Sequence, residues 1–179
     1  GIGYRGLEGV DCTAESYIKW HDMINRCYNA KFHERQPQYK GCTVCEEWLN
    51  YSNFKVWYDQ HKIHGMALDL DKDILFKGNK VYSPETCVFV PHTINVLFLN
   101  SKKSRGDLPV GVSYSERDKK YRAEMSFMGR QIKLGTFDTA EDAFARYKDF
   151  IQDLAEQYRD EIPNKVYEAM MGWKIEVDD

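Results

Sequence analysis

The residues whose types and spacing could do chemistry gather in "LDLDKDILFKGNKVYSPETCVFVPHTIN", residues 68 to 95. The stretch reads as an acidic strand, a polar loop and a helix that carries Asn95. Asp71, Asp73 and Asn95 are oxygen donors, the kind that Mg2+ takes while it keeps several waters, with Mn2+ as the alternative ion. His92 stands three residues before Asn95, so a helix puts the two near one face. Sulfur offers a second chemistry. Cys42 and Cys45 have the spacing of half a zinc knuckle, and Cys87 with His92 could complete a tetrahedral set. That second pair is badly spaced and Cys87 falls on a strand as an inward residue, so buried structural thiols are expected rather than zinc.

Charge is the other resource. The 179 residues carry a net charge of −3, with 42% hydrophobic and 30% charged side chains, a globular composition rather than a disordered one. The charges are unevenly placed: residues 102 to 137 hold 9 basic and 4 acidic side chains, residues 138 to 179 hold 5 and 12, and residues 1 to 101 hold 11 and 12. A basic island between neutral and acidic flanks suggests one face aimed at a polyanion. No apolar run reaches the length of a membrane span, and no basic-then-apolar leader opens the chain. Five irregularly spaced cysteines fit reduced thiols better than a disulfide framework. A soluble protein of the cytoplasm is expected, the host cell's cytoplasm if the chain is viral, with no membrane partner.

These residues need elements to position them. "TAESYIKWHDMINRCYN" predicts a helix capped by Thr13, with Tyr17, Trp20, Ile24 and Cys27 on its apolar stripe. "YKGCTVCEEW" predicts an extended piece. "SNFKVWYDQH" predicts a helix capped by Ser52 that buries Phe54, Trp57 and Tyr58, which are read as core rather than as platforms for bases. The chemical stretch itself gives a strand near Met66 to Leu70, a loop through Gly78 and Asn79, a strand at Cys87 to Val90, and a helix from Pro91. "NSKKSRGDLP", residues 100 to 109, is the linker. The expected organisation is a first domain over 1–100, a linker over 101–108, and a second domain over 109–179 with a helical extension at its end.

The second domain alternates in three short runs, "GVSYSERDKKYRAEMSFMGRQIKLGTF", with turns at "ERDKK" and "MG". A helix follows, "TAEDAFARYKDFIQDLAEQY", with Thr139 and Asp142 as its capping box and Ala143, Phe144, Tyr147, Ile151, Leu154 and Tyr158 as its stripe. Alternation puts Val112, Tyr114, Tyr121, Ala123, Met125, Phe127, Ile132 and Leu134 under that helix. The open face then carries Ser113, Ser115, Arg122, Glu124, Ser126, Gln131 and Lys133, and Arg117 if the first strand continues. Cations for phosphate mixed with hydroxyls and amides for base edges suit a sheet lying in a major groove.

"GV" at 111, "YRAEM" at 121 to 125, "LGTF" at 134 to 137 and "TAEDAFARY" at 139 to 147 resemble the AP2 domain. That family is a three-strand-plus-helix module that binds double-stranded DNA in plant transcription factors and in phage and mobile-element endonucleases. The resemblance implies that the contacts lie on the open face. This chain departs from the plant pattern at Ser113, Ser115, Arg117, Gln131 and Lys133, so plant-type sequence preference does not carry over and weaker discrimination is expected.

AP2 modules in phage proteins often follow an HNH nuclease, and "ETCVFVPHTIN" resembles the back half of that motif. The resemblance implies Asn95 as the helical metal ligand and Thr86 at the position of a middle Asn. In the front half, "LDKDIL", Asp71 or Asp73 fits the metal ligand, while Lys72 or Asp73 falls where the general base should be. His92 and the Asp73 carboxylate are the substitutes for that base, with His64 further upstream. The fold class expected is α+β: a helical region with a degenerate ββα-metal unit, then a three-stranded antiparallel sheet on one helix. The function expected is a DNA-binding protein of phage or mobile-element type, derived from an HNH and AP2 homing endonuclease and weakly active or silent. The alternatives are a working Mg2+-dependent endonuclease that uses Asp71, Asp73, His92 and Asn95, and a viral protein that binds a host defence component.

Overall fold

Trp20, Met23 and Cys27 recur at helical spacing, and the first helix, α1 (Glu15–Tyr28), buries them together with Ser16. The computed structural model describes residues 2–6, 8–63, 65, 67–98 and 107–172. It separates the chain into two units, residues 1–90 and 91–179. The boundary lies upstream of the expected linker, of which residues 101–106 fall outside the described residues.

In the first unit α1 is followed by α2 (Ala30–Arg35), β1 (Thr43–Val44), α3 (Tyr51–His61), β2 (Leu68–Asp71), β3 (Val81–Tyr82) and β4 (Val88–Pro91), with short 3-10 turns at Pro37–Tyr39 and Glu47–Leu49. β1 pairs in parallel with β3, and β2 pairs with β4. The expected aromatics are core. Phe54, Trp57 and Tyr58 are buried, Trp48 lies edge-on to Phe54 at 5.1 Å, and Phe89 of β4 packs on Trp57 and Tyr58 at 5.1 and 5.3 Å. Aromatic pairs at such separations contribute beyond the area they bury.

The caps fall elsewhere than expected. Thr13 does not cap α1: Ala14 holds the cap position, and the Thr13 amide and hydroxyl both donate to Asp11 Oδ1 at 2.8 and 2.6 Å. The buried stripe is Ser16, Trp20, Met23 and Cys27, with Tyr17 and Ile24 half-buried on its flank. Asn50, not Ser52, caps α3, because its side-chain oxygen accepts from the Ser52 amide at 2.9 Å. Pro91 closes β4 and stands as the cap of α4 (His92–Asn95) rather than inside it.

The second unit is built on β5 (Val112–Ser115), β6 (Lys120–Phe127) and β7 (Arg130–Phe137), an antiparallel sheet in that order. α5 (Ala140–Gln157) packs on all three strands and α6 (Asn164–Met171) packs on α5. The capping box forms as expected: Thr139 Oγ1 accepts from the Asp142 amide at 3.1 Å and donates to its carboxylate at 2.7 Å. Val112, Ala123, Met125 and Phe127 are buried on the side of Ala143, Phe144, Tyr147, Ile151 and Leu154. The turns come where "ERDKK" and "MG" suggest. Glu116–Lys119 joins β5 to β6, and Met128 with Gly129, at φ 51° and 71°, joins β6 to β7, the two positive φ values of a type I′ hairpin turn.

Candidate nucleic-acid interface

Register fixes the open face of the sheet. Ser113 stands opposite Arg122, Ser115 opposite Lys120, Glu124 opposite Lys133 and Ser126 opposite Gln131. Residues directly opposite share a face, so Ser113, Arg122, Glu124, Ser126, Gln131 and Lys133 lie together as the alternation predicts. A register shift at Ala123 and Glu124 leaves Leu134 as an extra residue on β7 and pairs Thr136 with Arg122. Straight alternation would turn Thr136 inward, whereas the bulge brings it onto the open face. Thr136 and Lys120 are the members of this face that counting along the sequence misses, and only the bulge and the strand start reveal them.

Two expected members have other positions. The first strand ends at Ser115, so Arg117 belongs to the turn, with its side chain 86% exposed. Ser115 is on the open side of the register but only 8% exposed. Its hydroxyl donates to Asp118 Oδ2 at 2.9 Å and accepts from Arg122 Nη2 at 2.9 Å.

Asp118 is the hub of that corner. Its Oδ1 accepts from Arg117 Nε at 2.8 Å, and its Oδ2 accepts from Arg122 Nη2. Hydrogen bonds from Arg117, Arg122 and Ser115 favour the ionised form and hold the Asp118 carboxyl down at about 2. Elsewhere on the face Ser113 donates to Glu124 at 3.1 Å, and Lys120 pairs with Asp138 at its edge. The helix behind the sheet has the opposite character: α5 exposes Glu141, Asp142, Asp149, Asp153 and Glu156. The unit is thus polarised, with cations concentrated on the sheet and its turns and carboxylates on the helix.

The residues expected to form a metal and nuclease site are distributed differently. Asp71, at the end of β2, accepts from the amides of Asp73 and Ile74 at 2.8 and 2.7 Å through one oxygen. Burial and then the neighbouring Asp73 push its carboxyl above the usual range. Lys72, where the base is expected, is 6% exposed; its ammonium lies 3.0 Å from Asp73 Oδ2 and 5.8 Å from the centre of the Tyr82 ring. Asp73 is therefore bound by a cation of the chain itself. His92 is exposed and Asn95 half-buried, both on α4 in the second unit, so the expected set is drawn from both units. His64 lies outside the described residues. Thr86 uses its hydroxyl on the Val81 carbonyl at 2.7 Å.

Cys42 and Cys87 are buried and Cys45 is half-buried, all as free thiols. Burial pushes the Cys87 thiol up to about 12 and raises Cys45 as well, the behaviour of structural core cysteines. Among the described residues, no group of three or more His, Cys, Asp or Glu side chains is placed to hold a metal ion. No family model, curated protein or solved structure matches the chain.

Proposed function

We propose that the second unit binds double-stranded DNA through the open face of β5, β6 and β7, and that the chain descends from a phage or mobile-element endonuclease of the HNH and AP2 kind whose nuclease half no longer cleaves. The observation that carries this reading is the in-register row of Ser113, Arg122, Glu124, Ser126, Gln131 and Lys133 opposite a face sealed by α5. Arg122 and Lys133 suit phosphate, and the short hydroxyls with the Gln131 amide suit base edges. The acidic helix on the other side favours one orientation toward a polyanion.

The first unit supports the non-cleaving half of the reading. One oxygen of Asp71 is committed to two amides, and Asp73 faces the buried Lys72 ammonium. A cation already beside a carboxylate opposes a divalent ion there, so the pair does not suit Mg2+ or Mn2+. Lys72 offers no substitute for a neutral imidazole.

The test is anisotropy of a labelled duplex titrated with protein across a salt series. The wild type is expected to bind with affinity that falls steeply with salt. Arg122→Ala with Lys133→Ala should weaken binding and lower the slope of log K against log salt by about two. Unchanged binding in that double variant refutes the assignment of the face.

A further inference from the structure

The hydrogen bonds around Arg122 determine what it can offer DNA. A guanidinium has five donors in two forks: the end-on fork uses Nη1 and Nη2, and the side-on fork uses Nε and Nη2. Both need Nη2. In this structure Nη2 donates to Ser115 Oγ at 2.9 Å and to Asp118 Oδ2, so two acceptors of the chain itself already sit against the nitrogen that either fork needs. A complete fork on a base edge therefore competes with Ser115 and Asp118 for Nη2. Asp118 is itself held in place by the side-on fork of Arg117, with Nε at 2.8 Å and Nη2 at 3.4 Å. The Ser115 hydroxyl also hydrogen-bonds the carboxylate, so two side chains, Arg117 and Ser115, keep it against Arg122.

Bidentate contact with O6 and N7 is how arginine singles out guanine in the major groove. A single donor can meet a phosphate oxygen but cannot read that pair of acceptors. We propose that Asp118 is a specificity-determining residue of the DNA face: with Ser115 it withholds Nη2 of Arg122, so the sheet grips the duplex backbone and discriminates guanine weakly. The inference rests on the open face being the DNA contact.

The experiment measures binding to poly(dG-dC) and poly(dA-dT) duplexes by anisotropy, for the wild type, Asp118→Ala, Asp118→Asn, Asp118→Ala with Arg122→Ala, and Glu116→Ala. Glu116 lies in the same turn, pairs with Lys119, and controls for the loss of one negative charge. The wild type is expected to bind the G·C duplex no more tightly than the A·T duplex, since no free guanidinium fork reads guanine. Asp118→Ala should bind the G·C duplex tighter by roughly fivefold or more, the lower end for one bidentate pair. Asp118→Asn, which keeps a turn-forming side chain, should move the same way by less. The gain should vanish with Arg122→Ala and when guanine is replaced by 7-deazaguanine, which lacks the N7 acceptor. Glu116→Ala should strengthen both duplexes alike.

Equal gains on both duplexes with Asp118→Ala, a gain that survives Arg122→Ala, or loss of all binding in both Asp118 variants overturns the inference while leaving the sheet as the DNA face. Absence of wild-type binding to either duplex at low salt instead sinks the sheet reading, and this inference with it.

Discussion

Two aspartates show how the same side chain is tuned in opposite directions. Asp118 accepts from Arg117, Arg122 and Ser115 and titrates at about 2, below its ordinary value of 3.8. A carboxyl depressed on folding contributes stability that is fully present above the unfolded value and is lost as pH falls from about 4 toward 2. A carboxyl-detected NMR titration should give Asp118 a midpoint near 2, shifted toward 3.8 in Arg122→Ala; a wild-type midpoint near 3.8 would refute the network. Asp71 goes the other way, because burial and the neighbouring Asp73 raise it. None of this was legible as a string of letters. Asp118 reads as one polar residue in the turn "ERDKK", and only the four-residue loop brings it back over Ser115 and Arg122.

Elements with strong local signals were readable. The capping box of α5, its apolar stripe and the two hairpin turns came directly from period and turn chemistry, because each signal is local and repeated. Signals with a competitor misled: Asp11 draws the hydroxyl of Thr13 away from α1, and Asn50 precedes Ser52 at the start of α3. β3, at two residues, is too short to alternate. The bulge at Leu134 is invisible because alternation continues on both sides of it. Gly111 shows what an element can demand of one residue. At φ +73° a Cβ would come within 2.0 Å of the Tyr147 ring, so strain and overlap add. Gly111→Ala is expected to cost about 2 to 4 kcal/mol, a fall of roughly 10 °C or more in melting temperature. Gly129→Asn, at a similar φ with nothing near its Cβ, should change stability by under about 1 kcal/mol. Comparable melting temperatures for the two variants would contradict the packing of Gly111 on α5.

For the whole molecule, supercoiled DNA incubated with the purified protein and Mg2+ or Mn2+ should stay un-nicked over hours. Nicking that disappears in Asp71→Ala or Asn95→Ala would overturn the reading of a silent nuclease half. The mixed α and β class was readable from the alternating runs and the stripes, and no described helix is long and apolar enough to cross a membrane. The basic run after residue 100 is conspicuous in composition, whereas the break at Val90 is a matter of which residues pack together. The polarity of the second unit has a kinetic consequence. Carboxylates on α5 behind a cationic sheet make an electric dipole, and in the field of a polyanion a dipole feels a torque before any contact forms. On the proposed reading, collisions with DNA are then pre-oriented, with the sheet leading. Reversing Asp149 and Asp153 to lysine would leave every contact of the open face in place yet let the molecule arrive backwards, an error of approach rather than of grip.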